Sequence, residues 1–258
     1  MSLHRTSRKY HKWLMLFVGL QLLTWSITGT YMVLMDIDYI HGDTLVAKKQ
    51  KTLTAEQVEY SFKELLEVHP QATAIELGFM LKKAVYRFNV DKKKVLVSAF
   101  DGQQLSPINE PLAISIAKEL YNDKSVTIAK VELLTDNSPG ELSGRHLPVW
   151  RIDFDDFASP SFYISANSGQ LVTKRHNFWR LFDWMFVFHV MDYTDGEADN
   201  KLLLLFTVFA FIASIFGLVL TYYRLAPQHR PSKRSASKNK PSRRKLKDDK
   251  AEATNEKN

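Results

Sequence analysis

The residues with the clearest capacity for chemistry lie in one short stretch. His189 closes a segment rich in Phe178, Trp179, Phe182, Trp184, Met185, Phe186 and Phe188, and Asp192 follows it three residues later. A carboxylate at that distance can fix the tautomer of an imidazole, as it does behind metal-bound histidines. A packed or snorkelling histidine gives the same local sequence. A second set is acidic. Asp36, Asp38 and Asp43 follow one apolar block, and Asp192, Asp195, Glu197 and Asp199 precede another. With His41 and His189 they could gather a hard cation or iron; as a solvated acidic rim they need no ligand. The chain has no cysteine, which excludes disulfides, thiolate metal sites and a cysteine nucleophile. There is no nucleophile elbow, Gly-rich phosphate loop or His-Glu-x-x-His zinc motif, and no triad arrangement. The expectation is a chain with no catalytic residues of its own and no flavin or nicotinamide site.

These residues are positioned by two apolar blocks. Trp13 to Met35 and Leu202 to Tyr223 carry no charge and are long enough to cross a hydrocarbon core of about 30 Å. A cleaved signal peptide would have a shorter apolar core and a small-residue cleavage site, whereas the first block ends in Tyr31, Met32 and Met35. The mean hydropathy of −0.23 argues against further spans. The net charge of +7 is not spread evenly: Arg5, Arg8, Lys9 and Lys12 precede the first block, and a dense Lys and Arg run follows the second. Basic flanks of this kind face the cytoplasm. Both termini are therefore expected inside and residues 36–201 outside, with no nucleic-acid role. The polar tail from 224 to 258 is expected to be disordered against anionic lipid. Small residues in both spans, including Gly19, Gly29, Ala213 and Gly217, permit close helix packing, within one chain or in a homodimer.

Between the blocks lies an internal repeat. Lys63-Glu64-Leu65 and Ala74-Ile75-Glu76-Leu77 are echoed by Lys118-Glu119-Leu120 and Ala129 to Leu133. Val85-Tyr86-Arg87-Phe88-Asn89-Val90 is echoed by Val149-Trp150-Arg151-Ile152-Asp153-Phe154, and Asp101-Gly102-Gln103-Gln104-Leu105 by Asn167-Ser168-Gly169-Gln170-Leu171. Matching order in both copies predicts two similar modules, 53–109 and 110–175, after a linker over 36–52. Each reads as a helix followed by an antiparallel meander. Thr54 and Gln57 have capping-box spacing for the first helix, and Pro111 opens the second. Gly102 and Gly169 supply turns beyond the third strands. The aromatic segment 176–193 reads as an amphipathic interfacial helix. The fold class is α+β, with two transmembrane helices flanking two tandem modules.

A helix, a strand of aromatic-Arg-aliphatic pattern and a strand running into a small-Gly-Gln-Leu turn together resemble the PepSY domain. Arg8-Lys9-Tyr10-His11-Lys12-Trp13-Leu14, Trp179-Arg180-Leu181-Phe182-Asp183-Trp184 and His189-Val190-Met191-Asp192-Tyr193 resemble the PepSY-associated transmembrane proteins, and the resemblance covers nearly everything up to residue 225. It implies a bacterial inner-membrane protein allied to transmembrane electron transfer or ferric-chelate reduction, with b-type haem as cofactor and other membrane or periplasmic redox proteins as partners. His189 and His11 are the candidate haem ligands, with Asp192 behind His189. They stand about 30 Å apart across the bilayer, so each iron would need a homodimer to pair like with like. His41 meeting His189 within one chain ranks lower. Other PepSY proteins imply a non-enzymatic binding module that docks or inhibits an extracytoplasmic partner such as a protease. A structural subunit of a membrane complex is the third reading.

Overall fold

The computed structural model describes residues 3–47, 52–91, 93–193 and 200–225; the basic tail and Asp195, Glu197 and Asp199 of the acidic rim lie outside them. Helices α1 (Leu3–Leu34) and α6 (Lys201–Leu225) are the two that are long and apolar enough to cross a membrane. At 1.5 Å per residue they measure about 48 and 38 Å. The inward face of α1 carries Ser7, His11, Leu14, Val18, Gln21, Trp25 and Thr28, all buried or half-buried. Their alternation of three and four residues is the period of a helix–helix seam. Phe17 stacks on Phe206 with centroids 4.8 Å apart, and Tyr10 lies 6.0 Å from Phe216. With Phe17 opposite Phe206, α6 begins level with about residue 22 of α1. The last third of α1 therefore has no α6 beside it. Helix α5 (Asn177–Val190) packs there instead.

The intervening domain is layered. After α2 (Ile37–Ile40), helix α3 (Phe62–Val68) precedes the sheet of β1 (Thr73–Met80), β2 (Lys83–Val90) and β3 (Lys93–Ser98). Helix α4 (Glu110–Leu120) precedes β4 (Ile128–Leu134), β5 (Val149–Phe154), β6 (Ser161–Ser165) and β7 (Leu171–Arg175), all antiparallel neighbours. Ala113, Ile116 and Ala117 of α4 share one core with Met80, Val85 and Leu96 of the first sheet and Ile152, Phe154, Phe162 and Ile164 of the second. Leu65 of α3 packs on the other face of the first sheet, against Ala84, Tyr86, Phe88 and Val97. The order of layers is thus helix, sheet, helix, sheet, and both faces of β2 are covered. This explains why Ala84 to Phe88 are buried without alternation.

The repeat read in the sequence recurs as hydrogen bonds. Ser98 N donates to Gln103 O at 2.8 Å and Gly102 N to Ser98 O at 3.1 Å; Ser165 N donates to Gln170 O and Gly169 N to Ser165 O, both at 2.9 Å. Tyr86 Oη donates to Tyr60 O at 3.1 Å, and Trp150 Nε1 to Ile108 O at 3.0 Å. An aromatic residue on each central strand thus secures the chain just ahead of its helix. Two expectations need correction. Thr54 makes no cap, and Ala55–Gln57 is only a short 3₁₀ turn. Ser61 and Glu64, with the same spacing, form the capping box of α3, in 3.2 and 2.7 Å bonds. The stretch after α1 is also tied down rather than a free linker: Ala47 N donates to Leu120 O, and Lys174 pairs with Asp43 at 2.7 Å.

Gly102 has φ +71°, and a Cβ there would lie 2.8 Å from the Tyr60 ring. The left-handed backbone alone costs an L residue about 1–2 kcal/mol. Gly102→Ala should lower the thermal midpoint of the detergent-purified chain by a few degrees (~2–4 °C per kcal/mol at this size). Gly140→Ala, with nothing within 4 Å of the added carbon, should leave it unchanged.

Candidate functional site

Both candidate histidines sit in helix interfaces, each against a glycine of its neighbour. His11 of α1 places Nδ1 3.0 Å from the Ala213 carbonyl, and its Cε1 lies 3.1 Å from where a Cβ on Gly217 would stand. A carbonyl can only accept, so Nδ1 carries a proton, and in the neutral ring Nε2 holds the lone pair. His189, in the last turn of α5, places Nδ1 2.9 Å from Thr28 Oγ1, with Cε1 3.3 Å from a Cβ on Gly29. The Thr28 hydroxyl is also 2.8 Å from the Thr24 carbonyl. With its own proton spent on that carbonyl, it accepts from His189 Nδ1–H, and again Nε2 keeps the lone pair. Among the described residues neither Nε2 has a hydrogen-bond partner, and neither is a fully buried atom, unlike Nδ1 of His176. The two imidazoles are thus oriented alike, about 26 Å apart along α1 from residue 11 to residue 28. His11 also lies deeper than a residue ahead of the apolar block: it meets the middle of α6, at Ala213 and Gly217.

Other expected members of the site lie elsewhere. The imidazole of His189 bonds Thr28 and not Asp192, whose backbone amide instead closes the end of α5 on Val187 O. Left-handed Met191 turns the chain away there, at φ +56°. His41 is exposed beside Leu171 to Arg175, at the opposite end of α5 from His189, so the two do not meet. Among the described residues no group of three or more His, Asp or Glu side chains could hold a metal ion. Asp36 caps α2 and Asp43 pairs with Lys174, so these carboxylates already have structural work. Between the two histidines, Gln21 Nε2 and Trp25 Nε1 are buried donors with no partner among the described residues. Such donors are costly in an apolar setting unless an acceptor meets them.

Sequence reasoning missed the clamp that holds α5 in place. Arg180 reaches back over the second sheet and grips both oxygens of Glu141, at 2.8 and 2.9 Å, with a further bond to Ser161 Oγ at 2.9 Å. Tyr163 Oη donates to the same carboxylate at 2.6 Å. Burial pushes the Glu141 carboxyl up, but the bonds from Arg180 and Tyr163 outweigh it and hold the group below its ordinary range. Next to it, the Arg175 guanidinium lies 4.1 Å over the Trp179 ring and is drawn down by burial. His176 donates Nε2–H to Tyr39 O at 2.8 Å and is likewise lowered by burial, so it sits neutral between α2 and α5. The Trp179-Arg180 pair lay within the aromatic segment, but no local signal pointed to Glu141, 39 residues away.

No protein-family model matches the chain, and no curated protein or solved structure matches it either. The tandem modules and their two long apolar helices stand on the structure alone.

The clamp gives a pH dependence of definite sign. A carboxyl held low in the folded state stabilises it above the unfolded pKa, and that contribution is lost as pH falls through the folded value. The docking of α5, followed by tryptophan fluorescence, should be constant near neutral pH and loosen only below the ordinary glutamate range of about 4.3. Glu141→Gln should remove that acid transition and loosen α5 at neutral pH as well.

Proposed function

We propose that this chain is a two-span protein of a bacterial inner membrane, with both termini cytoplasmic, that serves transmembrane electron transfer or ferric-chelate reduction as a haem-bearing accessory. The observation that carries the reading is the matched pair of imidazoles. Each is fixed by its Nδ1–H, seated on a glycine, and left with an open Nε2 lone pair. That is the tautomer and orientation a ligating histidine needs. The residues fit b-type haem in donor chemistry, and the unpaired donors of Gln21 and Trp25 lie between the two positions. When bound, such a group supplies one-electron chemistry. This chain's own residues hold and orient the ligands. The Ala213 carbonyl and the Thr28 hydroxyl fix the two rings, while Gly217 and Gly29 admit them. One chain offers one imidazole at each level, so the second ligand at each level comes from a second copy of the chain.

Membrane placement rests on the length and apolarity of α1 and α6 and on the basic residues flanking Trp13 and following Tyr223. The PepSY resemblance is part of the same proposal, supported by two tandem helix–meander modules with matching hydrogen bonds. The test is the visible spectrum of the detergent-purified protein, oxidised and then dithionite-reduced. A Soret band with sharp reduced α and β bands is expected, halved in intensity by His189→Ala or His11→Ala and abolished by both. Colourless protein from haem-replete cells would sink the haem reading and leave a docking or inhibitory module.

A further inference from the structure

A cleft of about 660 Å³ opens where the two modules meet, far from the histidines. Lys93 and Lys94 line it from the start of β3, Arg145 and His146 from the 3₁₀ turn before β5, and Ser165, Asn167, Ser168 and Gln170 from the turn between β6 and β7. Among the described residues no carboxylate lines it. The two sides are locked together. Arg87 of β2, almost wholly buried, donates Nε–H to Ser168 O at 2.9 Å and Nη2–H to Phe79 O at 3.0 Å. Gly169, in the left-handed region at φ +63°, packs against Met80, Leu96 and Ile116. The cations of one module are thereby held facing the hydroxyl and amide groups of the other.

β7 runs from this turn to α5, so the cleft stands about 16 Å of strand away from the helix that meets the membrane helices. The opposite end of the sheet carries Phe157, 80% exposed and 5.8 Å from Phe178 of α5. The cationic cleft is therefore separated from α5 by the whole length of β7. Its volume lies in the range of small-molecule sites.

We propose that this cleft binds a small soluble polyanion, a di- or tricarboxylate or an oligophosphate. Lys94 and Arg145 supply the charge, and Asn167 and Gln170 supply orienting hydrogen bonds. Strong charge-assisted bonds to two separated anionic groups require cations on both sides of a gap, and the modules provide them. The assignment is independent of whether the histidines hold haem. Isothermal titration of the full-length protein in detergent, with citrate and with pyrophosphate as probes, tests it. Saturable one-site binding of either is expected, and which of the two binds tells carboxylate from phosphate. Lys94→Gln with Arg145→Gln should weaken it about tenfold or more, while Lys94→Arg keeps it; unchanged circular dichroism shows that the variants fold. Absence of saturable binding by both probes, equal binding by the double variant, or binding of hexaglutamate peptide without either small anion would overturn the proposal. The last result would make the face a docking surface for an acidic protein.

Discussion

The architecture hangs on the joint made by α5. This helix is gripped from one side by Glu141 through Arg180 and laid from the other along the last third of α1. A half-buried guanidinium with a carboxylate is favourable only when both are well hydrogen-bonded. Here Tyr163 and Ser161 complete the set. Beside the pair, the layered domain and the helices are joined by the tether after α1, the contacts around His176, Arg175 over Trp179 and Phe157 against Phe178. With it, the last turn of α5 reaches α1 at a defined height, and His189 meets Thr28 and Gly29.

The stagger between α1 and α6 makes room for that joint. Ring stacking at Phe17 and Phe206 sets the register, and α6 starts well short of the end of α1. α1 therefore presents one continuous seam to two partners in succession, α6 at His11 and α5 at Thr28. The seam runs from His11 through apolar Leu14 and Val18 to Gln21, Trp25 and Thr28. Small residues at the crossings allow the close approach that a ring-on-glycine contact requires.

The layered domain applies a related principle. The largest core belongs to both modules: α4 is covered by the first sheet as well as by its own strands. The buried Arg87 and the left-handed Gly169 then knit the turn of one copy to the strands of the other. This shared packing accounts for unequal burial at equivalent positions of the repeat. Arg87 crosses to the other module, while Arg151, its counterpart in the repeat, pairs within its own strand with Asp153 at 2.9 Å.

The sequence by itself determined the two long apolar helices, the duplicated helix–meander pattern, the turns at Gly102 and Gly169 and the aromatic helix ending in His189. These rest on hydropathy, period and backbone preference, which act over a few neighbouring residues. It also singled out His11 and His189, but paired His189 with Asp192 because only near neighbours are visible in a sequence. Tertiary structure decided that Thr28 and Ala213 hold the rings, that Glu141 anchors α5, that Ser61 rather than Thr54 caps the first helix of the domain, and that Lys94 and Arg145 line one cleft. Those choices depend on helix stagger and on which faces of the layers meet. Both are outcomes of packing the whole chain at once, and no local window contains them.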